Sequence, residues 1–328
     1  MVDQRLLSRL AFFASFFALG VIALGAFTRL IDAGLGCPDW PGCYGYLLVP
    51  SENQSVVAYK AWAEMIHRYF VGGLSIFIIS IITLIFSNKK VRQCSNVILA
   101  ISLFLLLIYQ IILGRWTVTF KLLPIVVTQH LLGGFLILAI LWLIYLNNKK
   151  ITIKPIPING LLPLAIIGFI LVFLQIMLGA WTSTNYASLS CPDLPFCIND
   201  QPLMTMYFKE AFNIFSPLGI NYEGGVLSES IRQTIQMTHR IGALVVMLYM
   251  LFFSGFAMHK LKDLPEMVGS LYLILGLLIV QLCIGMANVI LKLPLITAVS
   301  HTLVAVLLLL SIITFIFKLT LVRKVSLS

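Results

Sequence analysis

Charged side chains are scarce in this chain. Only 10% of its 328 residues are Asp, Glu, Lys or Arg, 60% are hydrophobic and the mean hydropathy is +1.02, which excludes a water-soluble globule of ordinary composition. The first apolar run has no small-residue cleavage site behind it, so it reads as a retained span and not as a signal peptide. No pair of Gly/Pro-broken helices interrupts the apolar runs at mid-membrane, which argues against a transporter.

Long hydrophobic runs are abundant. Eight of them, near 12–30, 65–86, 97–118, 126–146, 161–183, 237–258, 268–291 and 296–317, are long enough to cross a hydrocarbon core of about 30 Å, which takes roughly 20 residues. The expected fold is an all-α integral membrane protein, and strands are not needed to explain any of it. With the N-terminus in the cytoplasm, 13 of the 22 basic residues, from Arg5 through Lys154 to Arg323 and Lys324, fall on the inner side, offset only by Asp3, Asp263 and Glu266. The excess of positive charge is therefore a topology signal, with both termini cytoplasmic, and not evidence for nucleic acid.

The chain also repeats itself. LGAFT at 24–28 matches LGAWT at 178–182 and CPDWPGC at 37–43 matches CPDLPFC at 191–197, both at an offset of 154. His67-Arg68 matches His239-Arg240 at 172, while Gln110, Gly114 and His130 match Gln281, Gly285 and His301 at 171. The expectation is two four-helix halves, 1–146 and 161–328, joined by a cytoplasmic linker at 147–160 that contains Pro155 and Pro157. The second half has about 17 extra residues in its first outer loop. An even number of spans per half gives two parallel bundles related by a pseudo-two-fold along the membrane normal.

Four of the five histidines share one depth. His67 in EMIHRYFVGG, His130 in TQHLLGG, His239 in MTHRIGA and His301 in SHTLVAV each lie a few residues inside the start of an apolar run. Ionisable groups there are costly without partners, so a functional site is the default reading; the bland alternative is that such residues snorkel to water. Repeat-related placement favours the site. Two imidazoles facing each other across a four-helix bundle suit a low-spin haem, whose iron takes one axial nitrogen from each face. Gly72, Gly73, Gly133, Gly134 and Gly242, one to two turns beyond the histidines, are placed to let a flat macrocycle approach, and Arg68 and Arg240 to pair with propionates. Zinc or copper needs clustered ligands, and no carboxylate or thiol accompanies all four histidines.

With ExxHR before the second span, QHLLGG, the THR of the sixth, SH at the eighth and paired cysteines in two outer loops, the chain resembles the haem A synthases of the CtaA/Cox15 type over essentially its whole length. The resemblance implies an inner-membrane oxidoreductase of bacteria that serves cytochrome oxidase assembly by oxidising the C8 methyl of haem O to the formyl group of haem A. It implies haem O as substrate on His67 and His130 and a resident haem b on His239 and His301. Membrane lipid, haem O synthase, an electron acceptor and a second copy of the chain are the candidate partners. The runner-up is a dihaem b-type cytochrome that exchanges electrons with quinone.

The repeat itself singles out Glu64. It precedes His67 by one turn on the same helical face, whereas Gln236 stands three residues before His239, and Arg115 likewise corresponds to Met286. Glu64 is therefore the expected catalytic carboxylate, the alternative being a helix-end charge contributing about 0.3–1 kcal/mol. Cys37 with Cys43 and Cys191 with Cys197 lie on the oxidising side, where a disulfide in each loop is expected. Each closes a short ring worth about 2 kcal/mol, as a staple or as a redox dithiol. Cys94 and Cys283 read as unpaired and His259 as a solvated interface residue. The long loop 184–236 has no assignable motif beyond an amphipathic helix expected around Met204 to Phe215, placed to cover the resident haem or dock a partner.

Overall fold

The computed structural model describes residues 2–47, 58–152, 160–198 and 205–326. Lys154, Pro155, Pro157, Pro202 and Met204 lie outside these residues, as do the side chains of Arg323 and Lys324. The described residues form nine helices: α1 (Val2–Leu30), α2 (Ala58–Ser87), α3 (Cys94–Thr119), α4 (Pro124–Asn148), α5 (Leu161–Thr184), α6 (Phe208–Ala211), α7 (Glu229–Lys260), α8 (Pro265–Ile290) and α9 (Leu295–Ser326). All but the one-turn α6 are long and apolar enough to cross a membrane, and no strand occurs among the described residues. The protein is a multi-pass membrane protein.

Helices are the forced solution here, because a backbone in hydrocarbon must satisfy its hydrogen bonds within its own segment. Their ends are written locally. Pro124 and Pro265 open α4 and α8, where a missing N–H costs nothing. Gly160, at φ 84°, precedes α5. The α3–α4 and α8–α9 turns each place two successive residues at positive φ, Lys121-Leu122 and Lys292-Leu293.

α1 contacts α2 and α4, and α3 contacts both α2 and α4, so the first four helices close a ring. α5, α7, α8 and α9 close a second ring in the same way, and α1–α9, α4–α5 and α4–α9 contacts join the two. Small residues allow the close approaches: Ala11, Ala14 and Ala18 of α1 are fully buried against α4. Several polar side chains inside the bundle pair with one another. Asn96 and Asn148 exchange amide hydrogen bonds at 3.2 and 3.1 Å, Thr128 and Thr184 meet at 3.1 Å, and Trp142 Nε1 donates to Thr314 at 2.8 Å. Ser and Thr hydroxyls such as Ser15 donate back to the carbonyl one turn earlier, which removes the cost of an unpaired hydroxyl in lipid.

Eight spans put both termini at one end of the helices. At the other end lie the α1–α2, α3–α4, α5–α7 and α8–α9 connections, and there the histidines gather.

Candidate functional site at the loop end of the helices

His67 and His239 sit about three turns inside α2 and α7, and His130 and His301 two turns inside α4 and α9. His67 and His130 lie within electrostatic reach of each other across the first ring, as do His239 and His301 across the second. The imidazoles are partly exposed, but Nδ1 of His67, His130 and His301 is buried without a hydrogen-bond partner. Among the described residues no group of three or more His, Cys, Asp or Glu is placed to hold a metal ion. The fifth histidine, His259, is exposed near the end of α7.

The glycines that matter to these rings lie on neighbouring helices. A Cβ added at Gly25 of α1 would stand 3.0 Å from His67 Cε1, at Gly114 of α3 3.4 Å from His130, at Gly179 of α5 3.1 Å from His239, and at Gly285 of α8 3.1 Å from His301. A methyl at such distances would push the ring aside, so each glycine makes room for one imidazole. Gly25 and Gly179 belong to the repeated LGA[FW]T motif, and Gly114 and Gly285 are repeat mates. The repeat held the signal, but pairing each glycine with a histidine needs the third dimension. Of the glycines expected to admit a macrocycle, Gly72 has nothing within 4 Å and Gly134 only Ile22. Gly73 faces Phe17, whereas Gly133 and Gly242 admit the amides of Gln110 and Gln175.

A disulfide loop sits beside each ring. Cys37–Cys43 and Cys191–Cys197 are bonded, with S–S distances of 2.01 and 2.00 Å, and all four residues are buried. The two conspicuous arginines hold these loops. Arg68 Nη1 donates to the carbonyls of Asp39 (2.9 Å) and Gly42 (2.5 Å), and Arg240 Nη1 to those of the matching Asp193 (2.6 Å) and Phe196 (3.0 Å). The second nitrogens differ. Arg240 Nη2 takes the Cys191 carbonyl at 2.6 Å, whereas Arg68 Nη2 takes Glu64 Oε1, and Glu64 Oε2 accepts the Cys37 N–H at 2.8 Å. Glu64 is only 6% exposed, and a buried carboxylate is tolerable because a cation and a backbone donor satisfy it. Gln236 donates to Ser188 O at 3.2 Å and leaves its Oε1 unpartnered. Arg115 and Met286 are both exposed, and Cys94 and Cys283 are free thiols at exposed positions.

The long connection between α5 and α7 crosses to the first ring. Its one-turn α6 docks through Trp181 Nε1 to Ala211 O at 2.8 Å, a shorter helix than the amphipathic segment expected. Beyond it, Tyr222 N donates to Lys121 O at 3.0 Å, and the Tyr222 ring is buried against Leu113, Leu122, Leu123 and Val126 of the α3–α4 region. Glu223 pairs with Lys60 of α2 at 3.5 Å. The extra residues of the second half thus strap the first. Sequence gave their number and their turn glycines but no destination.

Four histidines at the loop end of eight apolar helices, with a disulfide loop pinned by an arginine in each half, define a multi-pass membrane protein whose buried polar features gather at that end. The chain belongs to the COX15-CtaA family of cytochrome oxidase assembly proteins, whose sequence model matches residues 8–313. It is 41% identical over 314 residues to a heme A synthase of Shewanella oneidensis, covering 91% of this chain and 92% of that protein. It is also 25% identical over 307 residues to heme A synthases of Bacillus cereus and Bacillus anthracis, covering 92% of this chain and 89% of each relative.

Proposed function

We propose that the chain is a haem A synthase that oxidises the C8 methyl of haem O to a formyl group within the membrane. Two features carry the reading together: the paired imidazoles, each with a glycine on the adjacent helix, and the 41% identity to the Shewanella oneidensis protein over nearly the whole chain. The residues fit a haem. Donors come in twos, one pair in each bundle, three of the four rings have an orphaned buried nitrogen, and a glycine on a neighbouring helix leaves space beside each ring.

In this reading the chain divides into a substrate half, 1–146, a linker, 147–160, and a resident-haem half, 161–328. His67 and His130 hold haem O, and His239 and His301 hold haem b, which when bound would supply one-electron redox chemistry. Contacts between repeat mates support a pseudo-two-fold axis between the halves. Arg29 Nη2 donates to Ser183 O at 2.6 Å and Tyr186 Oη to Asp32 at 2.8 Å, each pair 154 residues apart. The loop end is the outer face and both termini are cytoplasmic, in keeping with the basic residues near the termini. Arg68 and Arg240 set positive charge at the mouths where propionates lie, besides holding the loops. Glu64 is the proposed base for the methyl proton: a carboxylate has about four acceptor positions, and the donors from Arg68, Cys37 and Gly36 do not fill them all. Methyl to aldehyde takes two successive two-electron hydroxylations, whose four electrons pass to an external electron acceptor, the second giving a gem-diol that loses water.

The test is extraction and mass analysis of the haems bound to the purified protein. Haem O or haem A beside haem B supports the synthase; haem B alone, in two equivalents, overturns it in favour of an electron-transfer cytochrome.

A further inference from the structure

The two halves treat their first histidine differently, and the difference is built from two matched positions. On α5, Gln175 Nε2 donates to the carbonyl of His239 at 2.8 Å and lies 3.0 Å from its Nδ1. Of the four imidazoles, His239 is the one whose Nδ1 has a side-chain partner among the described residues. The amide reaches it because residue 242, one turn beyond His239, is glycine: a Cβ there would collide with Gln175 Oε1 and come within 3.2 Å of Leu178. In the first half the repeat mate of Gln175 is Val21 and that of Gly242 is Phe70. The Val21 side chain has no donor or acceptor, so the His67 ring has only the Val21 backbone as a partner there, and Phe70 is stacked on Phe17 at 5.4 Å between centroids. His67 Nδ1 is buried and unpartnered.

A ring nitrogen held by a side chain fixes an imidazole's orientation as a ligand. The amide serves either tautomer, since Gln175 Oε1 has no partner of its own and is available to an Nδ1–H. An apolar surround fixes no orientation. Resting on the haem assignment above, we propose that Gln175, admitted by Gly242, is a positioning residue that locks His239 so that the second half retains its haem. Val21 and Phe70 give His67 no such side-chain hold, so that the first half can exchange substrate for product. Retention and release are thereby separated by two side-chain substitutions within one repeated architecture.

The experiment uses the full-length protein in detergent with apomyoglobin as haem acceptor. It compares wild type, Gln175→Val and the reciprocal Val21→Gln/Phe70→Gly, following transfer of each haem type and the low-spin EPR signal. Gln175→Val is expected to speed loss of haem b by roughly 10–100-fold and to shift its g-values, with haem O or A release unaltered. The reciprocal variant is expected to slow release from the first half by a similar factor. Unchanged haem b transfer with an unchanged EPR signal overturns the proposal. If Gln175→Val fails to accumulate, the reciprocal variant decides: slowed release supports the lock and unchanged release overturns it. A b-type signal that survives His239→Met is a different failure, since it removes the ligand assignment on which the lock rests.

Discussion

At each loop-end mouth an arginine one residue after a histidine reaches two carbonyls of a disulfide loop, the same two in repeat terms: Asp39 and Gly42 for Arg68, Asp193 and Phe196 for Arg240. The halves part at the third contact. In the second half the guanidinium simply takes another carbonyl, that of Cys191. In the first half a carboxylate is inserted between arginine and loop, and it turns the contact round so that Cys37 donates its N–H instead. An ionisable group is costly at such depth, and the second half shows that the clip works without one. The carboxylate is thus the one element by which the two clips differ.

The largest effect expected from breaking this comparison is at the histidines. Replacing His239 or His301 with Met should remove most of the low-spin b-type absorbance, whereas the same change at His67 or His130 should spare it. Absorbance spectra of the four purified variants check this, and equal losses from both halves would end the division of labour.

Next in size is Glu64→Gln, which gives the first mouth the side chain that the second already has. The expected outcome is a folded protein that keeps haem b and yields less than about one-hundredth of the normal haem A, the lower end of the range for loss of a general base. Haem O or its hydroxymethyl form should remain bound. Chromatography of extracted haems measures it. Normal haem A from a stable variant would show that Glu64 serves only to hold Cys37 and Arg68.

Much of this arrangement was legible in the sequence because lipid imposes a simple code. All eight apolar runs became spanning helices, yet α7 begins at Glu229, eight residues before its apolar run, because hydropathy marks where lipid lies and not where a helix starts. The histidine depth and the repeat could likewise be read directly, since both depend only on position along the chain. What could not be read was the choice of partner. Sequence placed Arg68 and Arg240 at the mouths but not the loop carbonyls to which they donate, because a loop closed by a disulfide presents several backbone acceptors at short range. Gly133 and Gly242 were expected to admit a macrocycle, and in the structure they admit glutamine amides. Such contacts join residues far apart in sequence, and periodicity along one helix is silent about them.

A smaller effect tests whether the disulfide loops differ in role as their pins do. Opening either seven-residue ring by a double Cys→Ala change should lower stability by about 2 kcal/mol, read as a fall in melting temperature. If Cys37–Cys43 is a staple like Cys191–Cys197, turnover per folded molecule stays near normal in both variants. Turnover lost only with the first pair, at unchanged stability, would give that pair the redox role.

The smallest effect concerns the strap that the second half lays across the first. It is held in two ways, by the buried Tyr222 ring with its backbone bond to Lys121, and by the ion pair of Lys60 with Glu223. The ion pair is partly exposed, with the Lys60 and Glu223 side chains 28% and 33% accessible, so solvent screening limits it to about 0.2–1 kcal/mol. The tyrosine is 3% exposed, and removing a large buried ring costs about 3–5 kcal/mol when the site cannot collapse. Lys60→Met should therefore leave proteolysis of the α5–α7 connection within about fivefold of wild type, while Tyr222→Ala should accelerate it by far more. Limited proteolysis of the two variants in detergent, at low and at high salt, separates the contributions. Equal sensitivity, or a strap released from wild type by salt alone, would mean that charge and not burial holds the second half's loop on the first.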